Sequence, residues 1–313
     1  MEPLFLKGVL QDKIWGGTKL RDEFGYEIPS ETTGELWAIS AHLNGPATIK
    51  NGQYAGKTLT ELWDEHRELF GGQEGDVFPL LTKIIDAQKD LSVQVHPDDG
   101  YALTHEGELG KTECWYVLSA EPDAEIVFGH NAESIAEFRN YIEDGRWNEL
   151  LRTIKVQAGD FFYVPSGTIH AIGSGVMVLE TQQSSDTTYR LYDYNRRDDE
   201  GNLRELHIEQ SIDVTTIPHQ DQQPHKVVDA VAGGTLTTLV SNEFFTVFIW
   251  EVEGPITFQQ DALYTLASVT EGEGKLIIAE KEYPLSKGDH FILPNDVEEW
   301  TLDGDMQLIA SQP

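Results

Sequence analysis

Residues 158–172 read AGDFFYVPSGTIHAI. Gly159 and Asp160 open a tight turn, and the apolar, aromatic run after them has strand composition. Pro165 and Gly167 shape a second turn. His170 then enters another apolar run, where its side chain can point into whatever the strands enclose. The same frame recurs as KGDHFILPNDVEEWTL, residues 287–302. Matching Pro165 to Pro294 sets an offset of 129 residues, which aligns Gly159 with Gly288, Asp160 with Asp289 and His170 with Glu299. The second copy keeps the order turn, strand, turn, strand but replaces Gly167 and His170. Such a repeat predicts two related β units, with the site in the first.

Short β-branched and aromatic runs fill most of the remaining chain. They are FPLLTKIIDA (78–87), LSVQVHP (91–97), CWYVLSA (114–120), AEIVFGH (124–130), VMVLET (176–181), FFTVFIWEV (244–252), KLIIAE (275–280) and MQLIAS (306–311). Gly, Pro, Asp or Asn bounds them, the pattern of a sandwich or barrel of many short strands. Residues 58–70 and 132–153 instead show helical spacing, the first with Thr58 or Thr60 as cap and the second broken at Gly145. The polar stretch 215–230 reads as a linker. The expected architecture is mainly β: two barrels, with a few helices packed on the N-terminal part. Residues 1–214 form the site-bearing domain and 231–313 a second barrel without a site.

In LSVQVHPDD (91–99), strand alternation puts Ser92, Gln94 and His96 on one face. Two inward side chains bearing lone pairs, from one strand, suit two metal ligands. The spacing G-x5-P-x-G-x2-H around His170 resembles the second motif of the cupin β-barrel family. That family's first motif is H-x-H with a carboxylate shortly after; Gln94-x-His96 is the nearest match here, and the carboxylate is missing from its usual place.

A larger set of motifs narrows the resemblance: KIWGG (13–17), GELWAISAH (34–42), LTKIIDAQKDLSVQVHPDD (81–99), GKTECWYVL (110–118), VPSGTIHAI (164–172) and SSDTTYRLYDYNR (184–196). Together they resemble the type I mannose-6-phosphate isomerases, in particular a short bacterial branch lacking a longer helical insertion. The likeness covers most of residues 1–210. It implies an aldose–ketose isomerase that interconverts mannose 6-phosphate and fructose 6-phosphate through an enediolate. It also implies one metal per chain on Gln94, His96, Glu113 and His170, and two imidazoles, one carboxylate and one amide oxygen suit Zn²⁺. By the same resemblance Ser92 and Lys111 contact the sugar phosphate, Lys111 shares in catalysis, and Arg190 sits at the reacting carbons.

Several side chains have a plainer alternative. His105 is a reserve ligand or a surface histidine. Arg190 can instead form an ion pair with Asp186 or Asp193. Lys83, alone among apolar neighbours, needs an acidic partner or water. Trp15 and Trp37 pack in the core or line the cavity mouth. The proton-moving base stays open among a metal-held water, His42 and the pair Asp98–Asp99. Longer family members read His-Lys-Pro-Glu where this chain has Gly110-Lys111-Thr112-Glu113, so no role passes to that histidine.

Composition bounds the rest. The 313 residues carry 22 basic and 54 acidic side chains, a formal charge of −32. Such a surface repels nucleic acid and anionic lipid, and a small anionic substrate needs local cations. No apolar stretch approaches the ~20 residues of a membrane span, and the N-terminus lacks the pattern of a signal peptide. A single cysteine, Cys114, fits a reducing compartment, and the cytoplasm is expected. FFTVFIWEV, poor in charge, is either core or subunit interface. Two other functions compete. An Fe(II) cupin oxygenase wants a carboxylate two residues from its histidine, whereas Gln94 stands there. A non-catalytic sugar-binding cupin has no need of the full ligand set and Arg190. A nucleotidyltransferase would need a glycine-rich nucleotide loop, and GGQEG (71–75) is a poor one.

Overall fold

The computed structural model describes residues 2–198 and 200–313. Strands dominate, as the turn-punctuated apolar runs require. A six-stranded sheet holds, in spatial order, Phe161–Val164, Glu113–Ala120, Val176–Gln183, Leu80–Ala87, Thr33–Ile39 and Val9–Gly17. Facing it is a five-stranded sheet of Tyr189–Tyr192, Val93–Val95, His170–Ile172, Glu125–His130 and Leu151–Lys155. Trp15, Ile85, Trp115 and Val178 from the first sheet meet Ile126, Phe128 and Ile172 from the second in one buried cluster. This is the first cupin barrel.

The second barrel is built on a ten-stranded sheet and has its own core, including Trp250, Val269, Phe291, Leu302 and Leu308. The chain's first strand, Leu4–Lys7, pairs with His290–Leu293 of this sheet. Val227–Val231, within and just beyond the stretch read as a linker, is its edge strand. Between the barrels lies a shared apolar layer with Trp63, Phe70, Phe78, Phe245, Val247 and Tyr264. Phe245 and Val247 of FFTVFIWEV face this layer, while Trp250 and Val252 face the second core. That strand is internal on both faces except at Glu251, which is exposed and carries its one charge.

The sequence repeat is a structural repeat. Phe161–Val164 and His290–Leu293 are strands at the same offset of 129 residues. Gly159 and Gly288 have φ of 88° and 92°, a region open to glycine without strain. In both turns the aspartate accepts a bond from the amide three residues earlier, Gln157 to Asp160 and Ser286 to Asp289, each at 2.9 Å.

The helix Leu59–Glu65 has Thr58 as its cap, in a reciprocal pair with Glu61. Thr60 instead bonds the Ala41 carbonyl at 2.6 Å. Gly145, at φ 64°, separates the helices Ile135–Glu143 and Trp147–Leu150. Three further short helices, Lys19–Asp22, Asp99–His105 and Ile208–Val214, escape the periodicity test because each spans at most two turns. No helix among the described residues is long and apolar enough to cross a membrane.

Candidate active site and metal centre

Register across the five-stranded sheet brings three distant residues into one row. Gln94 stands directly opposite His170 on one side and Arg190 on the other. Ser92, Gln94 and His96 all line a cavity of about 280 Å³ in the first barrel. Glu113 enters from the facing six-stranded sheet, opposite Gln182 and Val164. Its carboxylate lies 3.4 Å from His96 Nε2 and 3.4 Å from His170 Nε2. One donor atom each from His96, Glu113 and His170 falls within a 4.8 Å cluster.

These groups fit a cation. All three are almost wholly buried. His170 Nδ1 donates to the Thr168 carbonyl at 2.9 Å, so Nε2 is left with a lone pair. Burial pushes His170 down to about 3 and His96 well below its usual range, so both imidazoles are neutral, the form that binds metal. Burial, and Glu180 after it, pushes Glu113 upward. Among the described residues His170 Nε2 and Glu113 Oε2 have no hydrogen-bond partner, and His96 turns Nε2 to the same carboxylate. Acceptors facing one another in a dry site repel unless a cation lies between them. Gln94 lines the cavity beside this cluster and can add an amide oxygen.

Five cations line the same cavity: Lys13, Lys83, Lys111, Arg190 and Arg204, against the carboxylates Glu35, Glu113, Glu180 and Asp186. In a chain of charge −32 this local positive balance is a specific feature. Lys111 Nζ is 3.7 Å from Glu113 Oε2. Arg190 donates to Ser92 Oγ at 3.3 Å and to the Glu205 carbonyl at 2.9 Å. It has no carboxylate partner among the described residues: Asp193 is taken by Arg196 and Arg204, and Asp186 by Asn44. Burial and the neighbouring Arg204 disfavour the Arg190 charge, so an anion here is welcome.

Behind the cavity, Lys83 stands opposite Glu180 on one neighbouring strand and Trp37 on the other. Its Nζ is 3.7 Å from Glu180 Oε1 and 4.7 Å from the Trp37 ring centre. Trp115 donates to Glu180 at 2.9 Å and Trp37 to Glu35 at 2.7 Å, so two indoles hold two carboxylates around one lysine. Burial opposes charge on Glu35, but Lys83, Lys13 and the Trp37 bond outweigh it and bring the carboxyl down to about 2. Trp15 and Trp37 are both buried core residues, and Trp15 also forms cavity wall.

Other candidates lie elsewhere. His105 is exposed, stacked on Tyr101 at 3.9 Å. His42 lies 3.4 Å from Glu108 and does not line the cavity. Asp98 caps the helix Asp99–His105, and Asp99 accepts from Gly110 and Gln183. Sequence reasoning missed Glu35, Glu180 and Arg204, and named Asp186 only as an ion-pair partner for Arg190. The first two carried a signal like that of Lys83: an isolated charge in a strand buried along its whole length.

Comparison with known proteins agrees with this geometry. A model of the type I phosphomannose isomerase catalytic domain matches residues 4–118, and one of the mannose-6-phosphate isomerase cupin domain matches residues 235–313. A mannose-6-phosphate isomerase of Streptococcus mutans is 59% identical over 313 residues, spanning 99% of this chain and 98% of its own. The ManA mannose-6-phosphate isomerase of Bacillus subtilis is 54% identical over 311 residues, 99% of this chain and 98% of its own. The crystal structure of a mannose 6-phosphate isomerase from Bacillus subtilis superposes with a TM-score of 0.98, at 52% identity over 100% of both chains. The chain thus belongs to the type I mannose-6-phosphate isomerase family.

Proposed function

We propose that this chain interconverts mannose 6-phosphate and fructose 6-phosphate, with His96, Glu113, His170 and Gln94 holding one Zn²⁺. The observation that carries this reading is one cavity in which unpartnered His and Glu donors lie beside five cations. Two nitrogens and two oxygens suit zinc. When bound, the metal supplies fixed positive charge that favours negative charge on the sugar oxygens.

The chain's own residues account for the remaining requirements. Ser92, Lys111 and Arg204 can hold the phosphate, using binding energy remote from the reacting carbons to place the sugar. Arg190, anchored by Ser92 and Glu205, presents a guanidinium to oxygens that gain charge as the proton leaves carbon. Glu180 lines the cavity, and its Oε1 is buried without a hydrogen-bond partner, so it can accept a proton. Lys83 Nζ lies 3.7 Å from that oxygen. The lone buried cysteine and the acidic surface fit a cytoplasmic protein that avoids nucleic acid.

A coupled assay with mannose 6-phosphate tests the reading. Activity should vanish on chelation and return with Zn²⁺. Activity undiminished in metal-free protein would remove the metal from the reaction, and oxygen uptake without isomerisation would favour the Fe(II) oxygenase.

A further inference from the structure

A second cavity, of about 470 Å³, lies on the other side of the five-stranded sheet and has no part in the isomerase site. Its wall includes Trp147, Tyr192 and Tyr194, with Asp90, Glu125 and Asn148 between them. Trp147 stacks on Tyr192 at 4.4 Å with ring planes 18° apart, and Tyr192 meets Tyr194 at 4.8 Å. A neighbouring hollow of about 290 Å³ shares Trp147, Asn148 and Tyr192, so the space continues along the helix Trp147–Leu150.

Two backbone irregularities build this wall. Residues 190 and 192 of a regular strand would share a face. Here the register slips between them, so Arg190 opposes Gln94, which lines the catalytic cavity, while Tyr192 opposes Val93, whose side chain packs in the outer cluster. Tyr194 has φ of 57°, a left-handed conformation that is strained for a bulky residue. The Asp193 carboxylate, clamped by Arg196 and Arg204, holds the turn, and Arg196 also donates to the Asp90 carbonyl at 2.6 Å. A strained aromatic side chain is thus kept over an open hollow, 38% exposed, instead of packing inward.

We propose that this groove is a second ligand site, for an uncharged hexose or hexoside. Aromatic faces suit the C–H faces of a pyranose ring, and carboxylate and amide groups suit its hydroxyl edge. Among the described residues the lining of the larger hollow has two carboxylates and no lysine or arginine, the reverse of the catalytic cavity, and Arg196, 5.9 Å from the Tyr194 ring centre, is paired with Asp193. The one arginine of the smaller hollow, Arg146, is paired with Glu149 through two bonds, of 2.8 and 2.5 Å. A sugar phosphate is therefore repelled where a neutral sugar is admitted.

Calorimetric titration of the zinc-loaded enzyme with methyl α-mannoside, mannose and cellobiose, each with saturating mannose 6-phosphate present, tests this. At least one neutral sugar should bind saturably despite the phosphate ester. Binding should weaken at least tenfold in Trp147→Ala and in Tyr194→Gly, while isomerase turnover stays unchanged. Tyr194→Gly removes the ring at a φ that glycine adopts freely, so its fold is not at risk. The proposal is overturned if no neutral sugar binds, if mannose 6-phosphate displaces the sugar, if both variants bind like wild type, or if choline binds in place of every sugar.

Discussion

His170 donates its Nδ1 proton to the Thr168 carbonyl at 2.9 Å, and this one bond turns Nε2 towards Glu113 Oε1, 3.4 Å away. The tautomer is set because a carbonyl can only accept. Metal-binding histidines are oriented in this way by the group on their far nitrogen. His170→Ala should therefore lower metal affinity by more than about 100-fold and abolish turnover. Metal binds only the folded chain, so chelation should lower the wild-type melting temperature; tight binding is worth about 4 kcal/mol at a thousandfold excess over Kd. In His170→Ala the chelator should have no effect. Metal analysis and calorimetry check both arms.

Lys83 and Glu180 form a buried pair at 3.7 Å, their side chains 4% and 5% exposed. Removing one partner strands the other in a dry site, at a cost of about 3–5 kcal/mol. Lys83→Met and Glu180→Leu should each destabilise on that scale. The double variant should cost less than their sum by more than about 1 kcal/mol. Urea unfolding of the four proteins measures the coupling, and additive costs would show that the pair does not interact.

Arg190 is held by backbone and hydroxyl groups and has no carboxylate partner among the described residues. Arg190→Ala should lower kcat by about 100-fold or more while KM changes far less, because the guanidinium acts on charge that develops during the reaction. Ser92→Ala should mainly raise KM. A change in KM alone for Arg190→Ala would assign that residue to binding.

His290, the counterpart of Phe161 in the repeat, bonds Ser268 Oγ of the neighbouring strand at 2.8 Å and reaches Tyr26 Oη of the N-terminal part at 2.9 Å. Burial lowers its pKa to about 3. The unfolded chain binds this proton near pH 6.5, so between about 6.5 and 3 the unfolded state holds more protons than the folded one. The stability that His290 contributes is thus complete above about pH 6.5 and falls as pH drops towards 3. His290→Gln should flatten the loss of unfolding free energy between pH 7 and 5 relative to wild type. Parallel slopes in urea melts would exclude it as the sensor.

The ten strand segments and most of both helical stretches were legible because each rests on local spacing, but residues 151–153 of the second stretch open the strand Leu151–Lys155. Alternation placed Ser92, Gln94 and His96 together, and it needs only one strand. The capped helix at Asp99 was hidden because Asp-Asp-Gly also reads as a turn. Glu35 and Glu180 were hidden for a different reason. An isolated acid in an apolar strand signals a buried charge but does not name its partner, and Lys83 is 97 residues from Glu180. Their partnership depends on which strands become neighbours.

Sequence alone determined the strand and turn grammar, the repeat and the shared face of Ser92, Gln94 and His96, because period-two alternation and glycine-dependent turns act over a few residues. Tertiary structure decided which faces meet. Strand register set Gln94 between His170 and Arg190, and the packing of two sheets brought Glu113 to both histidines. It also gathered five scattered cations into one cavity of an acidic protein. Those relations join residues far apart in the chain and arise only when the barrel closes, since long-range pairing has no local signature.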